Sequence, residues 1–486
     1  TDQIGAIETA DLAGMSSTQL QALTTDQIEV LVTDQLRAMT NAQVGSLLST
    51  QLRTLSTDQI DALTSTQFNS LTGAQVASLT TTQIEGLSTA LVGNLSNAVI
   101  SAFTNEQVLA ITTDQIGKLS SAHISAMSSS QLAALDTSQL EAFSTAQIVA
   151  IDTQDMAAIR EEQLANLSST QTAALTTAQL NALTVAELNA LSDTQLQSLS
   201  TTQVSSLNAA STAKLKAAQV AALSTAQVAA LTTAQIKSLA ATAVTALGSD
   251  QLNAMDATQI GALSGAQIKA LNSTTLTSLG TTQVAALSTD QVAGLSVAAV
   301  AALNSTQLTA LSTSQVQALT VNQIKGLSAA NVESFSTTQM AALKADQVKA
   351  LSVEQLQALS TADVAALTTA QIKSLADAQV KALTTDAMAS LTTAQVGALS
   401  ATQIKSLSAT QVGALTSSNV AGLVTTQISA LSATQIQALT TSAVGALSTG
   451  LVNAMSAAQV GSLTTTQVQF LSTSTVAGIS TTNLKA

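Results

Sequence analysis

Residues 224–239 read Ser224-Thr-Ala-Gln-Val-Ala-Ala-Leu231 followed by Thr232-Thr-Ala-Gln-Ile-Lys-Ser-Leu239. The two octads share one plan: a hydroxyl residue, two small or variable residues, Gln, a branched aliphatic, a variable residue, a small residue and Leu. Followed outward in both directions, the plan never slips. From Gln3 to Asn483 every eighth residue falls in the Gln frame, and Gln fills 43 of those 61 positions without insertion or deletion. The next residue is apolar everywhere except at Thr172 and Thr212, and the octad always ends in Leu, Ile, Met or Phe.

The two apolar positions lie three apart within an octad and five apart across its boundary. Both spacings are odd, so the strict alternation of a strand fails in every unit. A helix accommodates the pattern directly. Ser/Thr-x-x-Gln is a capping box, in which the hydroxyl takes the N3 amide and Gln reaches back to the cap amide. Asp136, Asp152, Asp256, Asn208, Asn272 and Asn304 stand at the cap position as well, and each is a competent cap. Charge placement agrees: of 28 acids, 23 lie between the cap and the frame residue, and of 15 bases, 12 lie in the second half of the octad. That is the arrangement a helix macrodipole favours. The reading is an all-α solenoid of short two-turn helices, one per octad, spanning 1–486 as a single continuous repeat domain. A β-solenoid is the alternative, supported by Ser, Thr and Val but not by Ala, Leu and Gln. One continuous helix fits less well, because an eight-residue apolar period drifts on a 3.6-residue helix.

A longer period sits on the first. From His123 onward the frame positions without Gln run His123, Asp155, Glu187, Ser211, Ala243, Thr275, Ala299, Asn331, Asp363, Ala387, Asn419, Leu451 and Thr475, in steps of 32, 32 and 24. Three steps make 88 residues, or 11 octads, which a solenoid with about 3.67 octads (29.3 residues) per turn explains. Once per turn the chain passes a strip where Gln is not required. Elsewhere Gln caps a helix or bonds to an adjacent turn. The strip is read as a position relieved of that need or as a lateral contact surface for neighbouring solenoids. With packed helical layers about 10 Å apart, the chain predicts a rod of roughly 160 Å. It opens one residue past a cap and lacks atypical capping repeats, so we expect a stretch of a longer array.

Composition narrows the function. The chain has no Pro, Cys, Trp or Tyr, five Phe, one His and 9% charged residues, with a net charge of −13. Without Cys there is no disulfide, thiolate metal site or thiol nucleophile. Scarce aromatics remove stacking platforms for single-stranded nucleic acid, and the acidic balance repels a phosphate backbone. His123 has no repeated partner for ligation or proton transfer and is read as a hydrogen-bonding residue. Asp155, Glu187 and Asp363 share the strip with neutral residues, which speaks against a metal site. The Arg160-Glu161-Glu162 run reads as a solvated helix start. No G-x-S-x-G elbow and no 18-residue apolar run occur. We expect no enzyme, no cofactor, no nucleic-acid partner and no membrane span.

Two resemblances follow from these residues. Leu391–Leu399, LTTAQVGAL, resembles the first helix of a TAL-effector repeat over about eight residues. The longer repeat, second helix and base-reading dipeptide are missing, so DNA binding is not implied. Over its whole length, the monotonous Ala/Thr/Gln/Leu octad array resembles very large secreted bacterial repeat proteins of extracellular filaments, of mastigoneme-like or adhesin-stalk type. That resemblance implies an extracellular or cell-surface structural protein that self-associates into a filament, tube or appendage, with a flagellum or cell-surface component as a partner. The alternative it leaves open is an adhesin stalk that binds a receptor or surface. Ice or mineral binding by Thr arrays needs a flat β-face and falls with the strand reading.

Overall fold

The computed structural model describes residues 2–271 and 273–485. It is helical throughout: among the described residues there are 60 short α-helices, one 3-10 helix and no strand. The β-solenoid alternative is therefore overturned. Each octad puts its aliphatics on one helical face and its box residues at a helix start, and neither demand is met by an extended chain.

One octad shows how the sequence builds the unit. The helix Thr225–Ala230 is preceded by Ser224 at φ −66°, ψ 159° and followed by Leu231 at φ −60°, ψ 134°. Thr232, the next cap, is extended as well, at φ −71°, ψ 158°. A six-residue helix thus alternates with two extended residues, and that pair turns the corner. Helices commonly stop on a left-handed glycine. Here no described residue has a positive φ, which explains how the described corners are made with so few glycines. The terminal Leu amide bonds instead to the carbonyl three residues back, as Leu231 does to Val228 at 3.2 Å.

Two compact units are distinguished, Thr1–Ala246 and Leu247–Ala486, and both use the same packing. In the first, Ser169–Ala174 packs on Asp193–Ser198; in the second, Ala345–Lys349 packs on Thr369–Ser374. Each pair is three octads apart, whereas the inter-turn hydrogen bonds described below reach the octad four back. The coil therefore closes between three and four octads per turn, which accommodates the 3.67 read from the long period. Val228 and Leu231 are 0% and 3% exposed, as are their equivalents in nearly every octad. Burying such a side chain contributes about 1.5–3 kcal/mol. The two exceptions in the aliphatic slot, Thr172 and Thr212, are fully buried, and their hydroxyls donate to Ser168 O and Asn208 O at 3.0 Å.

Candidate functional site

From Gln35 onward the frame Gln is buried, and Gln227 shows how its amide is used. Gln227 Oε1 accepts the Ser224 amide at 2.8 Å, and the Gln227 amide donates to Ser224 Oγ at 3.2 Å, which completes the box. Gln227 Nε2 points to the preceding turn and donates to Leu196 O at 2.8 Å and Leu199 O at 2.7 Å. These carbonyls stand 31 and 28 residues back, at the C-terminal end of another helix. One side chain therefore supplies an acceptor to one helix start and donors to another helix end, both orphan positions that a helix cannot satisfy itself. The same geometry recurs at Gln51, Gln179, Gln323 and Gln427. Where the cap lacks a hydroxyl the Gln half persists: Gln35 Oε1 takes the Val32 amide at 2.9 Å.

The Gln-free strip shows what happens when that side chain changes. His123 keeps both functions, with Nδ1 toward the Ser120 amide at 3.2 Å and Nε2 against Leu95 O at 2.8 Å. Asn331 and Asn419 keep them with a shorter arm that reaches one carbonyl each, Leu303 O and Leu391 O. Thr475 keeps the inter-turn bond only, donating to Leu447 O at 3.0 Å. Glu187 and Asp363 keep the cap half only, accepting the Thr184 amide at 2.5 Å and the Ser360 amide at 3.1 Å. Asp155 lies beside the one 3-10 turn, Met156–Ala158, and accepts from the Ser129 hydroxyl. Ala243, Ala299, Ala387 and Leu451 offer no polar side chain.

Nine of the thirteen strip residues are buried; Asp155, Ser211, Thr275 and Asn331 are half-buried. They face the space between turns, because the frame position lies on the helix flank that meets the preceding turn. A neighbour laid along this side would touch the exposed residues around them.

Elsewhere the surface is chemically sparse. One cleft, about 640 Å³ and open to solvent, is lined by Ile159, Arg160, Glu161, Glu162, Thr184 and Glu187. Arg160 pairs with Glu162 at 2.5 Å, both side chains largely exposed, so the pair contributes little. Among the described residues no three His, Cys, Asp or Glu side chains stand together as metal ligands, and no helix is long and apolar enough to cross a membrane.

The second residue after the frame position carries a role that the octad pattern alone does not show. Its side chain crosses to the following turn: Arg37 Nε donates to Ala62 O at 3.0 Å, Gln197 Nε2 to Ala222 O at 2.9 Å and Asn181 Nδ2 to Ser206 O at 2.8 Å. All are 25 residues apart. The signal in the sequence was the abundance of long polar residues there, read as a response to the helix dipole.

A family model described as the ALTTAQ repeat matches residues 4–41, 38–73, 148–185, 213–241, 265–297, 321–353, 356–393 and 388–425, more than half of the chain in all. No curated protein matches significantly. A solved structure described as "Structure of APUM23-GGAAUUGACGG" is similar at 10% identity over 88% of this chain and 92% of that chain, with a TM-score of 0.14. A score that low carries no argument.

Proposed function

The chain belongs to the ALTTAQ repeat family, and from that premise we propose that it is a structural protein of an extracellular filament, tube wall or appendage, built by solenoid stacking and lateral association. The observation that supports this reading is the double use of the frame Gln. Such an amide ties its own helix start to the helix end four octads back, so cohesion between turns is renewed in most octads. Such an array is strengthened by repetition and resists fraying along its length. Its role is mechanical: polar groups are spent on holding turns together rather than gathered into a reactive cluster. Export and a cell-surface setting rest on the composition and on the resemblance to secreted octad arrays.

Negative-stain electron microscopy of the purified protein tests the reading. Long fibres or tubes are expected at concentrations that promote assembly. A preparation that stays as isolated short particles across salt, pH and concentration would sink it.

A further inference from the structure

In four octads the frame residue does not accept the cap amide, and another side chain takes it. Asp61 Oδ1 accepts the Ser88 amide at 2.6 Å, in the octad of Leu91. Asn69 Oδ1 accepts the Ser96 amide at 2.6 Å, in the octad of Val99. Asn181 Oδ1 accepts the Asn208 amide at 2.8 Å, in the octad of Ser211. Asn453 Oδ1 accepts the Ser480 amide at 2.7 Å, in the octad of Asn483, whose own amide goes to Val452 O and Met455 O. All four accepting side chains sit at the second position after the frame and 27 residues before the cap they serve.

Asn or Asp occupies that second position in only six octads. The other two cases make the point by contrast. Asn189 and Asn253 stand 27 residues before Lys216 and Gly280, whose amides are already accepted by Gln219 and Gln283 at 3.1 and 2.8 Å. Asn189 Oδ1 is then the one buried side-chain atom among the described residues left without a hydrogen-bond partner. Arm length explains the choice of residue: a short carboxamide places its oxygen on the cap amide while Nδ2 still reaches the carbonyl 25 residues on, as Asn69 does to Asn94 O at 3.0 Å.

We propose that this second position is an alternative inter-turn staple, which replaces the frame Gln as acceptor for the cap amide. It is a conformational device built into the fold: it lets an octad dispense with Gln while its helix start stays tied to a neighbouring turn. The position and the frame residue are then exchangeable as acceptors, while the octads of Ala243, Ala299, Ala387 and Leu451 have neither and still form their helices.

Amide hydrogen exchange on the full chain tests the exchange of roles. Asn69→Ala should speed exchange at the Ser96 amide by roughly five-fold or more, the effect of one lost hydrogen bond. Asn69→Asp should leave it near the wild-type rate, since the acceptor is kept. Val99→Gln in the Asn69→Ala background should restore protection, because Gln would meet the Ser96 amide as it does in other octads. Asn181→Ala with Ser211→Gln repeats the cycle at the Asn208 amide, should the first pair perturb folding. Asn189→Ala should leave the Lys216 amide unchanged. Unchanged Ser96 and Asn208 amides in the alanine variants, or failure of both Gln substitutions to restore them, would overturn the proposal.

Discussion

Replacing Gln323 with Glu separates the two halves of the inter-turn amide. The substitution preserves length and the acceptor that meets the Thr320 amide, now at 2.7 Å. It removes the donors to Val292 O at 2.9 Å and Leu295 O at 2.8 Å, and aims a carboxylate oxygen at both. Val292 O keeps the Leu295 amide at 3.3 Å, so its loss falls at the low end of the cost of an unmet buried group, about 1 kcal/mol. Leu295 O loses a short bond, at about 1–3 kcal/mol. With Gln323 only 1% exposed, desolvation of the new charge adds to this. We expect a loss of roughly 2–4 kcal/mol near pH 7, read as exchange at the Ile324 and Leu327 amides faster by roughly 30-fold or more. The pH dependence has a definite sign. Burial and two facing carbonyls raise the folded pKa of the introduced carboxyl, so the folded state holds the proton more tightly than the unfolded one. Stability is then recovered as pH falls from the folded value toward the unfolded one near 4.3. Gln323→Ala should show a loss that does not vary with pH over this range. A Gln323→Glu protein as well protected as the wild type at pH 7, or a penalty that does not shrink on acidification, would refute the reasoning.

Three other substitutions probe separate parts of the octad. Thr172→Val should stabilise by about 1 kcal/mol, since a methyl replaces a buried hydroxyl in an aliphatic slot and Ser168 O, which loses that hydroxyl, keeps the Thr172 backbone amide at 2.9 Å; a lower melting temperature would contradict it. Gly422→Ala should destabilise, because a Cβ there would lie 2.4 Å from Thr393 O; faster exchange at the Leu423 amide is the readout. Glu106 is exposed, and hydrogen bonds from its own backbone amide and then from the Thr104 hydroxyl hold its carboxyl below the usual carboxylate range. Its contribution is therefore present above the unfolded pKa and lost as pH falls through the lowered folded value. NMR titration should find that midpoint depressed, and Thr104→Ala should move it back up.

The octad itself was readable because all its parts are local. The box of Ser224 and Gln227, the aliphatics Val228 and Leu231 and the absence of a slip in the frame specify a helix start, a buried face and a stop within eight residues. The number of octads per turn was readable for a different reason: loss of Gln at His123, Asp155 and Glu187 follows the superhelical period, not the local one. The orientation of those positions was not readable. A frame residue can meet solvent or the preceding turn with the same capping box, and the box was all that local pattern defined.

By itself, then, the sequence determined helix, cap, corner and periodicity, since each depends on residues at most a few positions apart. The tertiary structure decided where Gln227 Nε2 goes, that the strip residues lie mostly buried between turns, and that Asn69 serves Ser96. These contacts join atoms 25 to 31 residues apart in the chain. Their partners are chosen by the rise and rotation of one turn, and that geometry emerges only when several octads pack together.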